Sequence, residues 1–415
     1  MPAHSSPAQA PAPRATPPAP PPASALAPWL AVLSVGIGAF ALVTTEFLPV
    51  GLLPSIAAEL GVTEGHAGLT VTLPGLIAAF AAIFVTVGSS KVDRRHVIMS
   101  LIALLVASNL IVALSPSFYG VLFGRILLGV GVGGFWAIGG TLGARLVPEA
   151  SAGRATAIIF AGISLGTVAG VPAGALIGEL AGWRAAFGAA SALALLVLLA
   201  QAFLLPPVAP TQVVRLRQLP LLLRLPKARL GLAVTALIFI GQFAAYTYIT
   251  PFLKQVTGMS ATTISALLLT YGVAGFIGNV IGGWGVGKNV RATLIATAVV
   301  MGGSVVLMPL LGHDPVAATV LVGVWGLAFG SMPIAVQTWM IKAAPDQMES
   351  SGAMFVAVIQ LALAGGALVG GVAVDHFGVA SAMLLGGVFA LSCAVATWAF
   401  GRESAATLSV VGGAE

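Results

Sequence analysis

Apolar stretches recur along this chain between short polar turns, at 27–58, 66–89, 97–114, 118–146, 152–180, 183–204, 230–253, 262–285, 292–311, 316–341, 351–374 and 380–400. A helix needs about 20 mostly apolar residues to cross a bilayer. The pattern therefore predicts an all-α membrane protein of twelve transmembrane helices. Only 7% of the 415 residues are charged, against about 25% in a soluble domain. The 52 glycines suit the same environment, because helices in lipid associate through close backbone approach at small residues.

The series breaks once. Residues 205–229 carry prolines and five basic residues after the sixth run, so the chain divides into an N-terminal six-helix bundle at 27–204, a cytoplasmic linker at 205–229 and a C-terminal six-helix bundle at 230–400. Residues 1–26 are rich in Pro and Ala and lack the apolar core of a cleavable signal peptide. They are expected to form a disordered cytoplasmic tail, and 401–415 a second cytoplasmic tail. With the N-terminus inside, 15 of the 18 basic residues fall in cytoplasmic segments: Arg14, Lys91, Arg94, Arg95, Arg145, Arg154, Arg215, Arg217, Arg224, Lys227, Arg229, Lys288, Arg291, Lys342 and Arg402. Only Arg184 and Lys254 lie outside, and Arg125 lies within the fourth run. This bias is the positive-inside pattern for two cytoplasmic termini. The halves also echo each other, since the second and eighth runs both end in short basic loops, SSKVDRR and GVGKNVR; internal repeats of this kind mark many secondary transporters.

Several chemistries are missing. Cys393 is the sole cysteine, so neither a disulfide within the chain nor a Cys-based metal site is available. His66, His96, His313 and His376 sit at loops or helix ends and His4 in the tail, which gives no cluster for a metal or a general base. No G-x-x-x-x-G-K-[ST] phosphate loop is present, so energy must come from an ion gradient or the solute's own. No cofactor or metal is expected, and no enzyme: HExxH and paired membrane carboxylates are both lacking. Twelve helices in two echoing halves with one buried acid favour alternating access over a passive pore.

That acid is found by elimination. Glu59, Glu64, Asp93, Glu149, Glu179, Asp314, Asp346, Glu349, Asp375, Glu403 and Glu415 fall in loops, tails or helix ends, and Glu46 alone lies well inside a run. An ionisable group within the membrane is costly and usually faces a cavity on a proton or substrate path. Two readings fit Glu46: a proton carrier, or a structural acid bonded to a neighbouring helix near the kink at Pro49. Arg125 likewise suits either a gate for proton release beside Glu46 or a clamp that bonds backbone carbonyls. On the seventh run Gln242, Tyr246 and then Ile249 or Thr250 share one face at helical spacing. In the fifth run, Gly166, Gly170 and Gly174 recur every fourth residue and suit tight packing, with Pro172 placed to kink the helix. Trp29, Trp183 and Trp284 read as interfacial anchors.

GRILLGVGVGGFW (Gly124 to Trp136) and GISLGTVAGVPAGALIG (Gly162 to Gly178) resemble the fourth-helix arginine motif and the fifth-helix antiporter motif of the major facilitator superfamily, in its twelve-helix drug:proton antiporter branch. GSSKVDRRH (Gly88 to His96), with Asp93 and Arg94, is similar to a shortened form of the loop motif after the second helix. TTEFLPVGLLPSIA from Thr44, GGFWAI from Gly133, GQFAAYTYITPFL from Gly241 and VAVIQL from Val356 look like the bacterial purine ribonucleoside exporters. The resemblance implies a major facilitator fold, a bacterial inner-membrane location, and proton antiport exporting inosine, guanosine or analogues; sugar or multidrug efflux is the alternative. It gives Glu46 and Arg125 a part in proton coupling, and Asp93, Arg94, Gly166, Gly170, Pro172 and Gly174 a part in conformational change. A purine would stack on Trp136, Phe243 or Tyr246 and bond to Gln242, Asn279, Gln337 or Gln360, although the same polar groups also suit bridges between helices. The expected partners are a small-molecule substrate, protons and the lipid bilayer, with no nucleic acid, and the expected state is a monomer.

Overall fold

The computed structural model describes residues 26–89, 91–210, 223–344 and 348–401. The two tails, residues 211–222 of the linker, and Arg14, Arg215, Arg217, Asp346, Arg402, Glu403 and Glu415 lie outside the described residues. Among the described residues, twelve helices are long and apolar enough to cross a membrane. In chain order the helices of each span are Ala27–Leu60; Glu64–Ala67 with Leu69–Gly88; Arg94–Leu114; Phe118–Leu146; Ala152–Leu165 with Val171–Ala181; Trp183–Leu204; Pro226–Tyr246 with Ile249–Gln255; Ala261–Lys288; Val290–Leu311; Pro315–Ala343; Met348–Phe377; and Val379–Phe400. They are called the first to twelfth spans below. The 22-residue helices of the sixth, ninth and twelfth spans are each roughly 33 Å long at 1.5 Å per residue, enough for a hydrocarbon core of about 30 Å.

The internal repeat is written in the caps. Thr63 and Ser260 cap the second and eighth spans, accepting from the backbone N–H groups of His66 and Thr263. Asp93 and Asn289 do the same for the third and ninth spans, and Ser117 and Asp314 for the fourth and tenth. The tight turns into the sixth and twelfth spans both use a glycine at positive φ, Gly182 (86°) and Gly378 (83°). Each pair is offset by six spans. A buried helix start must find acceptors for its first N–H groups, so both halves solve the same local problem with the same residue class.

Within the first bundle the second span packs on the fourth, and the first on the fifth and sixth; in the second bundle the eighth packs on the tenth and the ninth on the twelfth. The bundles meet along the second and eleventh spans and along the fifth and eighth. Large apolar side chains such as Phe84, Leu180, Phe203 and Phe377 point away from both cores and are strongly exposed. Such a belt is tolerable only against lipid.

Three local features depart from the sequence expectation. The seventh helix starts at Pro226, so Lys227 and Arg229, read as linker, belong to its first turn. It breaks after Tyr246 and resumes at Ile249, so Ile249 and Thr250 do not continue the face of Gln242 and Tyr246. Trp183 is not a lipid-facing anchor: it is 2% exposed, and its Nε1 donates to Glu59 Oε2 at 2.6 Å.

Candidate functional site

Proline creates the centre of the first bundle. Pro49 and Pro74 lie inside the first and second spans and have no N–H, so the carbonyls four residues back, Thr45 O and Thr70 O, lose their helical donors. Arg125 of the fourth span supplies them: Nη1 donates to Thr45 O at 2.8 Å and Nε to Thr70 O at 2.6 Å. Its remaining nitrogen, Nη2, donates to Glu46 O at 2.7 Å. The guanidinium is fully buried and ties three spans together through backbone carbonyls. These are the bonds of the clamp reading. The sequence held the signal in the two prolines, but which carbonyls the arginine reaches depends on how the spans cross.

Glu46 is 5% exposed. Its carboxylate has one described hydrogen bond, from Gln360 Nε2 of the eleventh span at 3.5 Å, so it faces the other bundle. Among the described residues the ion pairs within 4.0 Å are His66–Asp375 and Arg184–Glu59, which leaves Glu46 without a direct ionic partner. One residue on, Phe47 stacks on Phe243 of the seventh span, with ring centroids 5.5 Å apart and planes at 10°. Phe243 also stacks on Phe239. Phe47 is the residue that sequence reading missed; a lone Phe in an apolar run carries no signal until a second bundle is set opposite it.

The second bundle is organised differently. Gln242 donates from Nε2 to Tyr271 Oη at 2.7 Å and accepts from Trp325 Nε1 at 2.8 Å. Tyr246 stacks on Tyr271 at 4.9 Å, and Trp325 meets both rings edge-on. The amide and the aromatic rings thus partner one another inside the bundle, and Gln242, Tyr246, Tyr271 and Trp325 are all buried.

The structure brings Glu46, Arg125, Phe243 and Gln360 together at mid-depth where the bundles meet. Trp136, Asn279 and Gln337 have no described contact with this group. Trp136 packs on Phe135 and Phe160 within the first bundle, eleven residues and so roughly 16 Å along the fourth helix from Arg125. Asn279 and Gln337 are exposed, and Asn279 donates to Gly330 O at 3.3 Å within its own bundle.

The fifth-span glycines form a packing ladder. A Cβ at Gly162, Gly166, Gly170, Gly174 or Gly178 would meet, in turn, Gly36 O, Phe40 O, Thr44, Leu48 and Leu52, four residues per step along the first span. Gly166–Gly170 form a π turn just before Pro172, a widening that accommodates the missing donor. This turn also touches the eighth span, where a Cβ on Gly272 would lie 2.6 Å from Val168 Cα. At the membrane edge nearest the N-terminus, the proximal edge, Asp93 Oδ1 accepts from Arg95 N at 2.8 Å and Val208 N at 3.0 Å. The Val208 N–H is the main cause that holds this carboxyl below the usual carboxylate range. Arg94 Nη1 bonds to Ser89 O at 3.2 Å and Ser89 Oγ at 3.0 Å. The loop is thereby fastened to the chain leaving the sixth span.

The bonds between bundles have a polarity. From mid-depth to the opposite, distal edge they are Glu46–Gln360, Glu64–Gln255, Glu179–Thr262, and Asp375 with Thr63 and Gly65. At the proximal edge the described side-chain bonds, such as Arg95 to Ala202 O and Arg291 to Trp398 O, stay within one half. The described contacts therefore close the distal edge.

The model of the Major Facilitator Superfamily matches residues 35–364. The purine ribonucleoside efflux pump NepI of Escherichia coli (strain K12) is 36% identical over 367 residues, covering 88% of this chain and 93% of that protein. The pump of the same name from Salmonella enteritidis PT4 is 35% identical, covering 88% and 92%. Among solved structures, a bacterial homolog of the human lysosomal transporter Spinster, inward-facing and occupied, superposes with a TM-score of 0.76 at 14% identity, covering 92% of this chain and 98% of that one. The human organic anion transporter MFSD10 gives 0.64 at 17% identity, covering 91% and 100%. With the family model spanning both bundles and relatives aligned along nearly their whole length, this chain belongs to the Major Facilitator Superfamily and is a membrane transporter, not an enzyme.

Proposed function

We propose that this transporter exports purine ribonucleosides in exchange for protons, by alternating access in the inner membrane of a bacterium. The observation that carries the reading is Glu46, an acid buried at mid-depth whose carboxyl faces Gln360 of the other bundle. A buried carboxylate with no ion pair within 4.0 Å among the described residues is costly to keep charged, even with the Arg125 guanidinium nearby to offset part of the cost. Rocking the bundles around it is therefore easiest when the group is neutral. A proton meets that need, and so does a bound solute that donates hydrogen bonds to the carboxylate. The two ligands then occupy one site in turn, which is antiport. Arg125 holds the backbone of Glu46 and the two proline kinks in place, so the acid keeps its position while its charge changes. Phe47, partly exposed and backed by the buried Phe243, offers a flat apolar face for a purine ring, and Gln360 an amide for its edge or ribose. The efflux pumps that this chain is similar to are named for that substrate class.

The basic residues support an orientation: the proximal edge carries Lys91, Arg94, Arg95, Arg145, Arg154, Lys288, Arg291 and Lys342 and is proposed to face the cytoplasm, with both termini there. The distal closure then makes this an inward-facing arrangement. Asp93, Arg94, Gly166, Gly170, Pro172 and Gly174 serve the motion: the loop is a fixed strap, and the glycine ladder with its π turn is a low-friction seam beside the eighth span. The protein is proposed to work as a monomer.

The test is uptake of radiolabelled inosine into inverted vesicles or proteoliposomes under an imposed pH gradient. Accumulation that collapses with the gradient is expected in the native chain. No inosine transport by folded protein would overturn the nucleoside reading in favour of sugars or amphipathic drugs.

A further inference from the structure

We infer that Asp375 is the latch of the distal gate, a single carboxylate whose release from the turn Thr63–His66 is the step that lets the distal edge open. This rests on the alternating-access reading above. The carboxylate projects from the last turns of the eleventh span and meets three groups of the first bundle. Thr63 Oγ1 donates to Oδ2 at 2.7 Å, Gly65 N donates to Oδ1 at 2.9 Å, and His66 Nδ1 lies 3.4 Å from Oδ2. Hydrogen bonds to an ionised acceptor are about twice as strong as neutral ones, so this one side chain holds a whole turn. Thr63 is at the same time the cap of that turn, accepting from His66 N at 3.1 Å.

The surrounding residues permit the latch and give it no room. A Cβ on Gly65 would meet Gly371 O and the Asp375 carboxylate, and one on Gly68 would meet Tyr248 Oη. Tyr248 is itself fixed, donating to Ala367 O at 2.9 Å. The second, seventh and eleventh spans thus touch through glycines only while the latch is made. Beside it, Gln255 Nε2 donates to Glu64 Oε1 at 2.8 Å, an exposed neutral-to-acid bond that water replaces at little cost. Within the latch the Asp375 side chain is 20% exposed, against 63% for His66.

The experiment places spin labels on Pro116→Cys and His313→Cys, exposed distal loop positions in opposite bundles, in a Cys393→Ala background, and reads their distance by pulsed EPR in proteoliposomes. Asp375→Asn weakens the acceptor, and Gly65→Ala wedges the contact. Each is expected to raise the ratio of distally open to closed molecules about tenfold, a coupling of the size lost hydrogen bonds supply, and Thr63→Val, at an exposed position that leaves packing intact, by a smaller factor in the same direction. Distance distributions unchanged from native in Asp375→Asn and Thr63→Val would overturn the latch. Native protein that holds one distance with and without inosine and a pH gradient would instead overturn alternating access, whatever the variants do.

Discussion

The two bundles share their caps and turns but not their centres. The first is built on charge: a buried guanidinium feeds three backbone carbonyls, and a buried carboxyl faces the opposite bundle. The second is built on neutral groups, one amide locked between a tyrosine hydroxyl and an indole and surrounded by stacked rings. Under the proposed proton exchange, a charge that a proton cancels would give one bundle a state variable, and the neutral aromatic cluster would act as a fixed wall beside it. Repetition of the fold therefore does not imply repetition of the chemistry; local backbone problems recur in both halves, whereas the groups set at mid-depth are free to diverge.

The comparison predicts a graded series. Glu46→Gln removes the titrating group and is expected to abolish gradient-driven inosine accumulation while leaving counterflow measurable; gradient-driven accumulation at the native level would refute a charged first bundle as the coupling half. Arg125→Lys can reach at most part of the three-carbonyl set and is expected to cost on the order of 3 kcal/mol, read as a lower unfolding temperature in detergent. A native-like melting curve would show that the proline kinks do not need the clamp. Gln242→Leu leaves the Tyr271 hydroxyl without its donor and the Trp325 N–H without its acceptor and should lose about 2 kcal/mol of stability, seen in the same melt. If it raised the KM for inosine with no loss of stability, the neutral cluster would be a binding surface and the contrast between bundles would fail. Phe47→Leu keeps bulk but loses the stacking face, and an increase in KM of about fivefold is expected, with Phe47→Tyr near native. Smallest of all, Asn279→Ala and Gln337→Ala should change KM and stability by no more than about 0.5 kcal/mol, since both side chains are exposed.

How far the sequence reached can be judged from particular residues. The spans were legible because burying backbone in lipid demands long apolar helices, and the expected 118–146 and 183–204 coincide with Phe118–Leu146 and Trp183–Leu204. Glu46 was legible because an acid among apolar residues stands out without any coordinates. The break after Tyr246 has a local signal in Pro251, whose missing N–H leaves Thr247 O without its helical donor, while the packing of Tyr248 onto Ala367 and Gly68 shows what that turn accommodates. Trp183 was misread for a different reason. An aromatic residue at a span end suits the lipid interface equally well until an acceptor such as Glu59 appears beside it.

By itself, then, the chain determined the number of spans and the one acid well inside a span, because both follow from local composition against a solvent that penalises exposed polar groups. Tertiary structure alone decided that Arg125 serves the carbonyls freed by Pro49 and Pro74, that Gln242 is held within its own bundle while Gln360 faces Glu46, and that Phe47 and Asp375 each meet the opposite half. Those pairings join residues up to 314 positions apart, and at such separations partners are chosen by how helices cross, which no local pattern encodes.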